Sequence, residues 1–178
     1  KQNGESVSYY ENGQLKERMN WKDDVPHGPI EEYYENGQLK LKGQYKNNNS
    51  DGYWEGYFEN GQLKIKANIK DGKENGPFIE YYEDGNLKAK GEFKEGEKKC
   101  GWIENHPNGQ VELKKEFINN NQLCKSNKYR INGQLRSQWF EKKGKMHGLE
   151  VYYYENGQVS WKGNHKDGNS DGLFEMYY

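Results

Sequence analysis

Four histidines, two cysteines and 28 acidic side chains supply the types of residue in this chain of 178 that could do acid–base, metal or thiol chemistry. The histidines are His27, His106, His147 and His165. No HxxxH, CxxC, GxSxG or phosphate-loop pattern brings ligands, or a nucleophile and its base, to one place. The sequence therefore predicts no catalytic residue, no metal site, no cofactor and no enzyme. It does offer residue types enriched at protein interfaces: Arg130, Trp139 and Phe140, with His106 nearby. These four are the candidate partner-binding residues.

The elements that must position them come from a repeat. Glycines stand at Gly13, Gly37, Gly61, Gly85, Gly109, Gly133 and Gly157, a step of 24 residues without insertion. Each step carries a variant of YYENGQLK. The repeat residues are Tyr33, Gly37 and Leu39, then Tyr57, Gly61 and Leu63, then Tyr81, Gly85 and Leu87, and later Tyr153 and Gly157. Within a unit, a short β-rich run such as GYWEGYF, an ENGQ turn and the alternating run LKIKANIK read as a hairpin. The Asn-Gly pair predicts a tight type I′ turn, and a second, longer turn at Asp71-Gly72, Glu95-Gly96 or Asp167-Gly168 joins consecutive hairpins. The expected fold is all-β: an elongated, single-layer antiparallel meander of tandem 24-residue hairpins. It forms one repeat domain over residues 1–178, with seven hairpin units and a final strand, Leu173 to Tyr178, that lacks its partner.

Closing each hairpin at Asn-Gly sets a register in which Phe58 faces Leu63, Tyr57 faces Lys64, Gly56 faces Ile65, Glu55 faces Lys66 and Trp54 faces Ala67. One face then carries Trp54, Phe58, Leu63, Ile65 and Ile69, a packed face. The other carries Glu55 with Lys66, and equally Glu31 with Lys42 and Tyr33 with Lys40. Gly43, Ala67, Gly91 and Gly163 fall on the packed face, where a small residue leaves room for a large ring to lie across the strand. Equivalent residues of adjacent hairpins are two strand spacings apart, roughly 9 to 10 Å. Cys100 and Cys124 are such a pair, at the position of Gly28, Gly52 and Gly76, so free thiols are expected.

Composition agrees with a repeat that needs no central core. Hydrophobic residues are 31% and charged residues 31%, yet 15% are aromatic, which leaves tyrosine to supply much of the packing. A net charge of −1 gives no general attraction to nucleic acid or to an anionic membrane. The absence of a long apolar run predicts a soluble protein, either exported to the cell envelope or cytoplasmic. Units five and six, about residues 100–147, are degenerate, which reads either as drift or a bend in a repeat that tolerates irregularity or as a binding patch. Asn105-His106 replaces the tyrosine pair, Pro107 enters, the later turn reads INNNQLCK, Arg130 replaces a tyrosine, and Trp139-Phe140 stands where a glycine and a polar residue usually lie.

The pattern YYENGQLKxKGxY, followed by DGxxDGxW or by His147-Gly148, resembles the bacterial variant of the MORN repeat over nearly the whole chain. The resemblance implies consecutive hairpins in one sheet and a non-catalytic interaction or scaffold module. It also implies a toxin-like protein as partner, in an antitoxin or immunity role. Three other readings stand beside it: a passive spacer of about 70 Å, self-association through the C-terminal edge strand, and, weakest because glutamates alternate with the lysines, an anionic-lipid surface.

Overall fold

The computed structural model describes residues 1–118 and 122–178. Among the described residues every regular element is a β-strand and every ladder is antiparallel, a single-layer meander of hairpins as the alternating sequence requires. The chain divides into two compact units, Lys1–Leu87 with Phe93–Glu97, and Lys88–Glu92 with Lys98–Tyr178.

Unit one contains β1 (Gly4–Tyr9), β2 (Leu15–Lys22), β3 (Val25–Tyr33), β4 (Leu39–Lys46), β5 (Asn49–Ser50), β6 (Gly52–Tyr57), β7 (Leu63–Lys70) and β8 (Lys73–Tyr81). β9 (Leu87–Lys94) and β10 (Glu97–Lys98) are divided between the units. Unit two contains β11 (Ile103–Asn105), β12 (Val111–Ile118), β13 (Leu123–Tyr129), β14 (Leu135–Lys142), β15 (Lys145–Met146), β16 (Gly148–Tyr153), β17 (Val159–Lys166), β18 (Asn169–Ser170) and β19 (Glu175–Met176).

The two kinds of turn are the reverse of the sequence expectation. At the Asn-Gly end, Gly37 N–H donates to Tyr34 O (2.9 Å) and Tyr34 N–H donates to Gln38 O (2.8 Å). Only the glycine has positive φ, 83°. This is a three-residue loop, a type I turn closed by a left-handed glycine bulge, and not a type I′ turn. The asparagine decides it: Asn36 Oδ1 accepts the Gln38 N–H at 2.9 Å, an Asx turn that holds Asn36 out of the left-handed region. The two-residue turns lie at the other end, which is shorter than expected. Asp71 and Gly72 have φ 50° and 80° between the ladder pair Lys70 and Lys73, and Asn47 and Asn48 have φ 50° and 68° between Lys46 and Asn49. Positive φ at both central residues is the type I′ signature.

The bulge also corrects the register. Trp54 with Ala67, Glu55 with Lys66 and Gly56 with Ile65 pair as expected, but the ladder then shifts and Tyr57 pairs with Leu63. Phe58 belongs to the loop, and the expected pairs Phe58–Leu63 and Tyr57–Lys64 do not form. Tyr33 likewise pairs with Leu39 and not with Lys40. Lys64, the extra residue, swings its ammonium to 5.6 Å from the centroid of the Phe58 ring. Lys40 pairs instead with Glu32 at 3.2 Å.

The packed face follows the logic of small against large. Ile30 and Trp54 are buried, with Gly43 between them; a Cβ on Gly43 would lie 2.3 Å from the Trp54 ring. Tyr45 meets Trp54 edge to face at 5.2 Å, and Phe78 meets Phe93 at 5.1 Å. On the opposite face Glu55 accepts from Lys42 (2.8 Å), Lys66 (2.7 Å) and the Tyr57 hydroxyl (2.6 Å). The ammonium bonds from Lys42 and then Lys66 hold the Glu55 carboxyl down to about 2, and the same bonds raise both lysines.

Candidate functional site

The four candidate residues lie in unit two, and two of them occupy a position whose work is visible elsewhere in the chain. In unit one the second tyrosine of two pairs reaches along the sheet to the backbone of the next hairpin: Tyr10 Oη donates to Tyr33 O at 2.7 Å and Tyr34 Oη to Tyr57 O at 2.8 Å. In unit two His106 Nε2 reaches Tyr129 O at 3.2 Å, Arg130 Nη2 donates to Tyr153 O at 2.8 Å, and Tyr154 Oη donates to Tyr177 O at 2.6 Å. His106 and Arg130 therefore make the bond a tyrosine makes. A neighbouring series does the same with amides, as Asn36 Nδ2 donates to Glu59 O and Asn108 Nδ2 to Ile131 O. All these residues sit at the loop end of the hairpins.

Trp139 belongs to a second series, the packed row. In unit two this row reads Gly91, Trp102, Lys115, Ser126, Trp139, Glu150, Gly163 and Phe174. Its ends obey the small-against-large rule, since a Cβ on Gly91 would lie 2.4 Å from Trp102 and one on Gly163 2.3 Å from Phe174. In its middle the sizes change strands. Lys115 stands at the small position, Ser126 at the ring position and Trp139 at the next small position, while the ladder still pairs Ser126 with Trp139. Ser126 is 0% exposed beside the indole that replaces the missing ring. The repeat phase shows Trp139 where a glycine belongs; the compensating Ser126 is equally legible by that phase, and sequence reasoning missed it.

The swap brings buried charge onto the packed face. Lys115 Nζ bonds both carboxylate oxygens of Glu141, at 2.9 and 3.0 Å, and Trp139 Nε1 donates to Glu141 Oε1 at 2.8 Å. The pair satisfies a lysine that is 9% exposed, as a buried charge requires. Glu150, at a ring position, lies 2.8 Å from His165 Nε2 and accepts the Tyr152 hydroxyl at 3.0 Å. The Ser126 hydroxyl is buried without a hydrogen-bond partner. Among the described residues no cluster of three metal-ligating side chains exists.

The cysteines overturn an expectation. Cys100 and Cys124 form a disulfide with Cα atoms 5.7 Å apart, so they are not free thiols. The two-strand spacing applies only when both residues stay in the ladder. Cys124 does, opposite Phe117 and Glu141. Cys100 leaves it: Lys99 N–H donates to Glu92 O, Gly101 N–H donates to Lys115 O, and the positive φ found at Gly28, Gly52 and Gly76 moves on to Gly101. The displaced turn carries Cys100 toward Cys124. The INNNQLCK segment includes residues 119–121, which lie outside the described residues.

The four candidates do not converge on one patch. His106 and Arg130 share the loop end. Trp139 and Phe140 are neighbours in β14 and point to opposite faces. Both are half-buried, and Phe140 pairs with Lys125, which in turn pairs with Glu116.

A family model described as a MORN repeat variant matches residues 2–23, 26–47, 50–71, 74–95 and 146–168, together more than half of the chain. The chain belongs to the MORN repeat family. No curated protein matches it. MORN repeats form modules for binding or scaffolding, generally without catalysis, and commonly mediate protein or membrane interactions. No helix among the described residues is long and apolar enough to cross a membrane. Between the fourth and fifth MORN matches lie His106, Arg130, Trp139, Phe140 and the disulfide.

Proposed function

We propose that this MORN repeat chain is a non-catalytic protein-binding module whose partner docks on the irregular stretch of unit two, on the face that carries Phe140. The observation that carries this reading is that the stretch departs from the repeat while keeping its internal bonds. His106 and Arg130 still reach the next hairpin's carbonyl, and Trp139 still covers its row. Phe140 has no such inward duty: it puts an aromatic ring into a row of charged residues, Glu116 and Lys125. Aromatic residues flanked by charge suit an interface better than a solvated face. The toxin-like character of the partner, and an antitoxin or immunity role, rest on family resemblance alone.

The test is affinity capture from the source cells, followed by titration of the purified partner against the chain and its Phe140→Ala and Trp139→Ala variants. Phe140→Ala is expected to weaken binding about tenfold or more, the equivalent of about 1.4 kcal/mol, with an unchanged circular dichroism spectrum. A partner bound equally by both variants moves the site to the regular face. Capture of nothing supports the spacer reading, and steeply salt-dependent binding to anionic vesicles supports the lipid surface. Concentration-dependent sedimentation supports self-association through residues 173–178, where Leu173 and Met176 are exposed.

A further inference from the structure

The packed row departs from its glycine-against-ring order in unit two at the place where the disulfide stands. Trp102 is buried at 2% exposure, and the next ring position holds Ser126, whose buried hydroxyl has no partner. Two residues before Trp102, Cys100 is lifted out of the ladder; two residues before Ser126, Cys124 is 8% exposed and paired on both sides in β13. The bridge thus ties the entry of one hairpin to the entry of the next, at the step where ring-against-glycine packing is lost. The equivalent position in the other hairpins holds glycine, at Gly4, Gly28, Gly52, Gly76, Gly148 and Gly172, so only this step carries a pair of thiols.

We propose that Cys100–Cys124 is a covalent lock between the entries of two successive hairpins where the repeat loses its regular packing order, and that the chain accordingly matures and works in an oxidising compartment. Disulfides persist where thiols are not continuously reduced, and in most cytosols they are lost. Formation consumes one external disulfide, held by a thiol–disulfide oxidoreductase or a small-molecule disulfide. One cysteine thiolate attacks it and releases the first thiol. The second thiolate then attacks the mixed disulfide and releases the other. The chain gives up two electrons and two protons, and the external disulfide leaves as two thiols.

This goes beyond the binding role and stands or falls separately from it, because its readouts involve no partner. The full chain is produced with and without an export signal to an oxidising compartment and alkylated in denaturant without reductant. Exported protein is expected to carry no adduct and to gain two after reduction. Limited proteolysis and hydrogen exchange are then compared before and after mild reduction. Reduction is expected to accelerate cleavage between residues 97 and 126 by roughly 30-fold, which corresponds to about 2 kcal/mol of local stability, and to leave residues 4–81 unchanged. The double variant Cys100→Gly, Cys124→Gly serves as control: it should match the reduced chain and be insensitive to reductant. Two adducts on the unreduced exported protein would overturn the proposal. So would equal protection of residues 97–126 in the oxidised, reduced and double-glycine chains.

Discussion

In unit one, Gly43 yields the space of its Cβ to the indole of Trp54; in unit two, the same row places a lysine where the glycine stands and a serine where the ring stands. Both arrangements fill the row. The regular hairpins do it with one rule repeated, large from the first strand and small from the second. The irregular stretch moves the ring to the neighbouring strand as Trp139, places the Lys115–Glu141 pair beside it, and ties the hairpins with a disulfide. The difference teaches that what a hairpin repeat must keep is occupancy of each row and a donor for each cross-hairpin carbonyl. Residue identity is secondary.

The largest effects should come from emptying the row. Trp54→Ala is expected to destabilise unit one by about 3–5 kcal/mol, and Trp139→Ala to destabilise unit two by about 1.5–3 kcal/mol because its ring is only half-buried, both read from urea unfolding by circular dichroism. Equal losses would erase the contrast between the regions. Overfilling comes next. Gly43→Ala puts a methyl inside the Trp54 ring at a site with ordinary φ, so the cost, about 1–3 kcal/mol, is steric alone.

Cross-hairpin donors should matter less. Tyr34→Phe removes the bond to Tyr57 O and is expected to cost about 0.5–1.5 kcal/mol, whereas Arg130→Tyr supplies a hydroxyl where the family places one and should be near neutral. A large loss from Arg130→Tyr would mean that Arg130 does more than bond a carbonyl. The smallest effect concerns acid. Glu55 is held at about 2 against an ordinary 4.5, so between these values the unfolded chain binds more protons than the folded one. Its contribution is complete above about pH 4.5 and is lost as pH falls toward 2. Glu55→Gln should flatten that part of the stability–pH curve, by less than about 1 kcal/mol for so accessible a pair of lysines.

The repeat period, the two faces and the glycine-for-ring exchange were legible because each follows from side-chain size and alternation within one unit. The turn types were not. Asn-Gly is compatible with a type I′ turn and with a type I turn plus bulge, and the choice rests on the Asn36 side chain capturing the Gln38 N–H, an interaction invisible to pattern. The disulfide was hidden for a related reason: ladder spacing places the cysteines too far apart, and only the displaced turn at Cys100-Gly101 brings them together. His106 and Arg130 stood out as departures, yet their hydrogen bonds emerge only when the carbonyls they reach are located.

The central claim, that the irregular stretch preserves the row by exchanging ring and small residue between strands, is tested most directly by a double-mutant cycle on Ser126→Phe and Trp139→Gly. Each single change should destabilise unit two, one by crowding the indole and the other by emptying its place. If the account holds, the double variant restores the regular order and is less destabilised than the sum of the singles by about 0.5–3 kcal/mol. Additive losses would contradict it, showing that Ser126 and Trp139 changed independently.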